Sequence, residues 1–208
     1  MRPRPRLALL ATATVLVVAL AAVLALSGSR GGSPSPSSSA GEASGFDGAA
    51  LPSVQAPGFT LTDQHGRRVS LGGYRGRVVI LAFLYTTCGS SCVVIAQQIR
   101  GALDELAQPP AVLFVSVDPS ADTPARVSRF LAEVSLGGRV LYLSGSETRL
   151  RQVWRAYHIT PASSGKQAFE RYAAVLLLDR RGRERVLFQM EQLTPESIAH
   201  DTRKLQEG

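Results

Sequence analysis

The chain has 208 residues, 45% of them hydrophobic, and carries a formal net charge of +7. The positive charge is almost entirely arginine, because Lys166 and Lys204 are the only lysines. No aromatic residues alternate with the arginines, as they do in proteins that stack on nucleic-acid bases. We therefore expect no nucleic-acid partner.

The N-terminal residues predict a membrane anchor. Arg2, Arg4 and Arg6 precede an uncharged, mainly apolar stretch over residues 7–26, which as a helix is about 30 Å long and can cross a bilayer. Arginines on this side keep the N-terminus in the cytoplasm. Residues 1–26 thus predict a single-pass anchor of the cell membrane with an extracytoplasmic domain. A cleaved signal and a secreted form are the alternative, although signal peptides usually have a shorter apolar region.

Residues 27–50 are rich in Gly, Ser, Pro and Ala and show no hydrophobic periodicity. Such a segment buries too little apolar surface to order itself, so it is predicted to be a disordered linker. The remaining residues, 51–208, have the length of one domain with a full core.

Within this domain the predicted elements alternate between strands and helices. A short hairpin is predicted from residues 59–61 and 68–71, and a buried strand at 78–85 precedes a helix that begins near Cys92. Further along, the pattern predicts strands at 111–117, 140–143, 172–178 and 186–189, and helices at 123–134, 147–157 and from 194 onward. This order favours an α/β, thioredoxin-like fold, with a central mixed sheet flanked by helices and an N-terminal hairpin.

Cys88 and Cys92 are the only cysteines of the chain. Both lie where the buried strand at 78–85 turns into a helix, and backbone N–H groups and the helix dipole stabilise a thiolate at such a place. We therefore predict that the two cysteines carry the chemistry of this protein.

Four blocks of sequence extend this prediction to a family. They are Pro57-Gly58-Phe59-Thr60-Leu61-Thr62-Asp63 with Gly66, Gly76-Arg77-Val78-Val79, Phe83-Leu84-Tyr85-Thr86-Thr87-Cys88 with Cys92, and Val115-Ser116-Val117-Asp118-Pro119 with Asp122-Thr123-Pro124. With these blocks the chain resembles the SCO (synthesis of cytochrome c oxidase) or SenC family over residues 56–205. The resemblance implies a membrane-anchored, outward-facing protein that binds copper through two cysteines and a histidine and serves the copper centre of cytochrome c oxidase. Some family members also act as thiol-disulfide reductases.

The spacing of Cys88 and Cys92 suits both activities. Two thiolates four positions apart can face one small ion, and soft sulfur favours Cu(I). The same spacing permits a disulfide, which an oxidising exterior makes accessible. Copper is therefore expected as a ligand of the two cysteines, and the same pair as a redox dithiol.

The chain departs from the family at the third copper ligand. The family's histidine position falls on Arg171, and arginine stays protonated and offers no lone pair to a cation. If Arg171 lies over the cysteines, it favours their thiolates. The hypothesis is therefore a redox dithiol, or a two-coordinate Cu(I) site, in place of the three-ligand site of the family.

The three histidines of the chain are predicted at other places. His65 falls in a solvated turn, and His200 on the surface of the last helix, distant from the cysteines. His158 falls at the end of a helix, where a cation suits the helix dipole, and whether it reaches the cysteines is left open.

Several further residues have competing interpretations. Asp118 is a turn former or a residue near the cysteines, and Asp122 and Thr123 are predicted to cap a helix rather than to bind a ligand. The aromatic residues predicted to pack in the core are Trp154, Tyr157 and Tyr85, of which Tyr85 could instead shield the cysteines.

A cluster of arginines surrounds a predicted turn near the end of the chain. Its members are Arg180, Arg181, Arg183 and Arg185. A solvated hairpin tip is the favoured interpretation, with weak attraction to anionic lipid as the alternative.

Three functions are left open by the sequence. The first is a metallochaperone or thiol-disulfide reductase for the copper-bearing subunit of cytochrome c oxidase. The second is a general extracytoplasmic thiol-disulfide oxidoreductase that acts on another dithiol protein. Such enzymes usually have two residues between the cysteines and a cis-proline ahead of the strand near Tyr172. This chain has three residues between its cysteines and no proline at that place. The third is a structural or sensing domain whose cysteines form a permanent disulfide. A serine or cysteine hydrolase is not expected, because no histidine is placed as the base for Cys88 or Cys92.

Overall fold

A mixed six-stranded sheet forms the centre of the fold in the computed structural model, which describes residues 45–160 and 174–208. The strands are β1 (Ala49–Gln55), β2 (Thr60–Thr62), β3 (Arg68–Ser70), β4 (Val79–Leu84), β5 (Ala111–Ser116), β6 (Leu141–Leu143), β7 (Ala174–Leu178) and β8 (Arg183–Gln189). The helices are α1 (Ser90–Glu105), α2 (Pro124–Glu133), α3 (Glu147–Ala156) and α4 (Pro195–Glu207), with short 3₁₀ turns at Leu71–Tyr74 and Met190–Gln192.

The sheet has the order β1-β8-β7-β4-β5-β6. Strand β4 pairs in parallel with β5 and antiparallel with β7, and β5 pairs in parallel with β6. Every residue of β4 and β5 is buried, as expected for parallel strands that are covered by helices on both faces. The mixed sheet with flanking helices confirms the predicted fold class, and the β2–β3 pair is the predicted hairpin.

Capping residues start two of the helices at the predicted positions. The Thr123 hydroxyl accepts a hydrogen bond from the Arg126 backbone N–H, and Pro124 follows it at the first helical position. Thr194 does the same for α4, where Ser197 completes a capping box.

A glycine allows α1 and α4 to pack closely. A Cβ atom at Gly101 would lie only 2.8 Å from the Pro195 side chain, so any larger residue would push the helices apart.

The ordered fold begins earlier than the predicted boundary between linker and domain. Strand β1 starts at Ala49, and the side chain of Phe46 is buried. The buried carboxylate of Asp201 in α4 fixes this segment, because it accepts hydrogen bonds from the backbone N–H groups of Asp47 (2.9 Å) and Gly48 (3.0 Å). Residues 45–50 are therefore structured, although their composition alone predicts linker.

The predicted anchor, residues 1–26, and the predicted linker up to residue 44 lie outside the described residues. Within the described ranges, no helix is long and apolar enough to cross a membrane.

The outer edge of β6 is covered by the early hairpin. Thr62 and Ser144 exchange two backbone hydrogen bonds of 2.8 Å. Beyond them, the side-chain amide of Gln64 donates to the Val140 carbonyl (3.2 Å) and accepts from the Tyr142 N–H (2.8 Å). One side chain thus takes the place of a neighbouring strand.

Candidate dithiol site

The two cysteines lie at the carboxyl end of the central strand. Residues 85–89 connect the end of β4 to the start of α1, and Cys88 and Cys92 form a disulfide whose Cα atoms are 5.9 Å apart. Both residues are buried. The structure therefore brings the predicted pair together in its oxidised form.

Gly89 shapes the turn between the cysteines. It has φ 77° and ψ −144° at the N-cap position of α1, a backbone conformation that residues other than glycine essentially do not adopt. Cys92 therefore falls in the first turn of α1, where backbone N–H groups lack partners within the helix and the helix dipole is positive. This position favours the thiolate that both exchange and metal binding require.

A buried carboxylate holds the start of the cysteine loop. The Asp122 Oδ1 atom accepts from the Thr86 backbone N–H at 2.7 Å. Its Oδ2 atom accepts from the Ser116 hydroxyl at 2.6 Å and from the Tyr142 hydroxyl at 2.7 Å. Burial raises the pKa of Asp122 above its ordinary value, and the hydrogen bonds from Ser116, Thr86 and Tyr142 oppose that rise.

Asp122 thus has a role that the sequence-based prediction of a helix cap missed. Only one of two adjacent cap-type residues can cap a helix, and Thr123 is the one that does. The presence of two such residues in a row was the available signal that one of them serves another purpose.

A second set of contacts fixes the strand ends below the cysteine loop. The Trp154 indole N–H donates to the Ser116 carbonyl at 2.9 Å, and the Tyr142 hydroxyl lies 3.3 Å from the Leu84 carbonyl oxygen. Trp154 and Tyr157 are both buried, as predicted, and the Tyr157 ring packs on Phe83 with 5.3 Å between ring centroids. The two hydrogen bonds thus join the carboxyl ends of β5 and β4 to α3 and β6.

The other polar candidates serve the local backbone. Asp118 accepts from the Ser120 hydroxyl (2.6 Å) and the Ala121 N–H (3.1 Å), which makes it a turn former. Tyr85 is buried, and its carbonyl accepts from the Cys88 N–H at 3.3 Å.

The histidines lie away from the disulfide. His65 is exposed in the hairpin turn, as predicted. His200 is exposed on α4 between Asp47 (3.3 Å) and Asp201 (2.9 Å). His158 is exposed with φ 55°, and its electrostatic partner is Glu184.

The strand pairing of Glu184 shows at which end of the sheet Glu184 lies. It pairs with Leu178, which in turn pairs with Val79, the first residue of β4. The cysteines follow the last residue of that strand. Glu184 therefore belongs to the opposite end of the sheet from the disulfide.

A third copper ligand is not supplied by the described part of the chain. Across residues 45–160 and 174–208, the one cluster of three potential metal-ligating side chains is Asp47, His200 and Asp201, which includes neither cysteine. Arg171 lies outside the described residues, so its position over the cysteines stays a prediction.

The model of the SCO1/SenC family matches residues 49–207, which is nearly the whole of the described fold. This chain belongs to the SCO1/SenC family. Its similarity to the bovine mitochondrial protein SCO2 homolog is 32% identity over 119 residues, covering 55% of this chain and 44% of that protein. This SCO1/SenC chain therefore aligns with less than half the length of that relative.

Solved structures of Sco proteins share the fold. The copper-bound ScoI of Bradyrhizobium japonicum superposes with a TM-score of 0.56 at 28% identity, covering 73% of this chain and 99% of that one. BsSco, a member of the Sco family of cytochrome c oxidase assembly proteins with an identified disulfide switch, superposes with a TM-score of 0.62 at 21% identity, covering 74% and 95% of the two chains.

Proposed function

We propose that this SCO1/SenC protein is an extracytoplasmic dithiol protein, anchored in the cell membrane by residues 1–26, that supports assembly of the copper centre of cytochrome c oxidase. It acts through Cys88 and Cys92, by binding Cu(I), by thiol-disulfide exchange, or by both. The observation that carries the proposal is the disulfide at the junction of β4 and α1. Both cysteines lie within the residues that the family model matches, and copper-bound Sco structures share the fold, which supports copper at this pair.

The two cysteine sulfurs suit copper as a transported ion in the Cu(I) state. Two thiolates match Cu(I), which accepts linear two-coordinate binding by soft sulfur. Cu(II) would need a further nitrogen ligand, and the resemblance predicts Arg171 at the family position for it. We therefore expect Cu(I) to bind to the reduced pair and Cu(II) to bind weakly.

Exchange uses the same two sulfurs. One thiolate attacks a sulfur of a partner disulfide and releases the partner's thiolate, which gives a mixed disulfide. The second thiolate then attacks the mixed disulfide, so the partner leaves as a dithiol and Cys88–Cys92 becomes oxidised. Two electrons pass to the partner, whose two released thiolates take up protons from solvent.

A Cu(I) titration of the full chain tests the copper function. The reduced protein, kept in detergent without oxygen, competes with a chromogenic Cu(I) chelator. We expect one tightly bound equivalent, which a Cys88→Ser, Cys92→Ser variant loses. The matched control is Ser90→Ala, Ser91→Ala, which leaves both sulfurs and should leave the titration unchanged.

The exchange function is tested on the same protein with a disulfide in the copper-bearing subunit of the oxidase. Reduction of that disulfide without Cu(I) binding would assign the protein to the reductase branch. Equal rates on unrelated extracytoplasmic disulfides would favour the general oxidoreductase. An absence of both Cu(I) binding and exchange would reject the proposed function.

A single substitution tests the role of the missing histidine. In an Arg171→His variant, a third ligand should allow Cu(II) to bind with a sulfur-to-copper charge-transfer band, which the wild type should lack. Arg171→Gln removes the same charge without adding a ligand and is the control. The same band in the wild type would show that another residue already completes the site.

A further inference from the structure

Five cationic side chains converge at the end of the sheet opposite to the disulfide. They line a cleft of ≈ 320 Å³ between the β7–β8 turn and the end of α4, here called the arginine cleft, and are Arg180, Arg181, Arg183, Arg185 and Lys204. Among the side chains of the described residues that line the cleft, the carboxylate is that of Asp179. The cleft therefore has a large excess of positive charge.

Asp179 neutralises little of this charge. Its Oδ1 atom accepts from the backbone N–H groups of Arg181 and Arg183 at 2.9 Å each, and its Oδ2 atom lies 3.3 Å from the Arg185 guanidinium. The side chains of Arg181 and Arg183 are exposed, and neither makes an ion pair with any of the described residues. Two guanidinium groups are thus available to an external anion.

The described chain begins on the wall of the same cleft. The Phe46 ring lies 5.1 Å from the Lys204 ammonium and 5.8 Å from the Arg185 guanidinium. The Lys204 ammonium also donates to the Gly45 carbonyl at 2.9 Å. Residues 27–44, the predicted linker, separate this point from the proposed anchor, and a linker of that length would span about 20–25 Å on average. The tether would thus hold the arginine cleft close to the lipid surface.

The position of the cleft relative to the cysteines sets the orientation. The Gly76 N–H, shortly before β4, donates to the Arg180 carbonyl at 2.7 Å. The cysteines follow the far end of β4, whose six residues span about 20 Å. A domain that rests on its arginine cleft therefore presents the dithiol away from the membrane.

We propose that the arginine cleft binds the headgroups of anionic phospholipids and holds the domain on the outer surface of its own membrane, with the disulfide end facing away from the lipid. This inference rests on the anchor of the proposed function for the proximity of the lipid. Each arginine near an anionic surface contributes a favourable attraction that salt screens.

Quenching of a dye by lipids tests this orientation on the full chain. The protein is reconstituted in vesicles of phosphatidylcholine alone or mixed with phosphatidylglycerol, both with a nitroxide on some headgroups. The Cys88–Cys92 disulfide is kept oxidised, so a dye couples only to an added cysteine, either Ser53→Cys beside the cleft or Ser120→Cys at the disulfide end. We expect strong quenching at residue 53 in the phosphatidylglycerol vesicles, lost in high salt, and weak quenching at residue 120.

Two charge-matched variants separate the cleft from net charge. Arg181→Gln with Arg183→Gln should lower the ratio of docked to undocked domain by roughly tenfold or more, without a shift of the urea midpoint. Arg129→Gln with Arg155→Gln removes as many exposed charges from α2 and α3 and should leave the quenching unchanged.

Several outcomes would overturn the inference. They are equal quenching at residues 53 and 120, quenching that does not depend on phosphatidylglycerol (as expected if the cleft binds an acidic protein), and an equal loss in both arginine variants. Flotation of the chain with phosphatidylcholine vesicles reports the anchor separately. If the chain floats only with vesicles that contain phosphatidylglycerol, and the Arg181→Gln, Arg183→Gln variant no longer floats, the proposal of an anchor is rejected. The proposal of lipid binding by the arginine cleft is then retained.

Discussion

The two ends of strand β4 differ in burial and in charge. At its carboxyl end, the disulfide is buried and its loop is held by hydrogen bonds to the buried Asp122. At its amino end, the arginine cleft is exposed, and the Asp179 carboxylate holds the turn that carries most of its arginines. The chemistry of the first end depends on the folded geometry, whereas the second end needs only charge. Substitutions at the first end should therefore alter stability and reactivity together, and those at the second end only binding.

The largest expected loss follows from removing the carboxylate at the buried end. In Asp122→Ala, the Thr86 N–H and the Ser116 and Tyr142 hydroxyls lose their acceptor. We expect the free energy of unfolding to fall by about 2–4 kcal/mol, measured by urea denaturation of the oxidised protein. A loss below about 0.5 kcal/mol, typical of surface changes, would show that the buried end is no more sensitive than the exposed one.

A smaller loss is expected from the glycine between the cysteines. Gly89→Ala places a side chain at φ 77°, ψ −144°, which costs about 1–3 kcal/mol. The strain acts on the loop that spans the disulfide, so the reduction potential of the cysteine pair should shift as well. The control is Gly137→Ala, where the added Cβ meets open space. An unchanged reduction potential in Gly89→Ala would show that the geometry of the turn does not influence the redox chemistry of the cysteine pair.

The smallest effect concerns pH. Because burial raises the folded-state pKa of Asp122, the folded state binds more protons than the unfolded state once the pH exceeds the unfolded value of about 3.9. Its contribution to stability therefore falls as pH rises from that value through the folded pKa.

Asp122→Asn isolates this contribution, since its amide oxygen can still accept from Thr86 N–H but cannot ionise. The stability of the wild type relative to this variant should decline with rising pH across that window. A constant difference in urea unfolding from pH 4 to 8 would contradict the raised pKa.

The fold was predictable because its strongest signals are local. The run of apolar residues in β4 and the Thr123-Pro124 helix start each specify one element with little help from the rest of the chain. Strand β1 was missed because Ala49 and its neighbours have a linker-like composition, and the contacts that order the segment come from Asp201, more than 150 residues later.

The same limit applies to the site. The position of the cysteines followed from sequence order, whereas the acceptor for the Thr86 N–H is brought in from another loop, 36 positions away. Sequence patterns describe neighbours along the chain, and the contacts that hold this loop are made between distant segments. The family resemblance supplied what the patterns could not, and the prediction that Arg171 stands at the family's histidine position also rests on it.

The amide of Gln64 has a consequence for how partners can approach. An uncovered edge strand invites a second chain to add to the sheet, which leads to aggregation or to strand-for-strand recognition. Gln64 and Thr62 together occupy four of the outward-facing backbone groups of residues 140–144. A client protein therefore has no free strand edge to pair with along residues 140–144 and must recognise this side of the domain through side chains and loops.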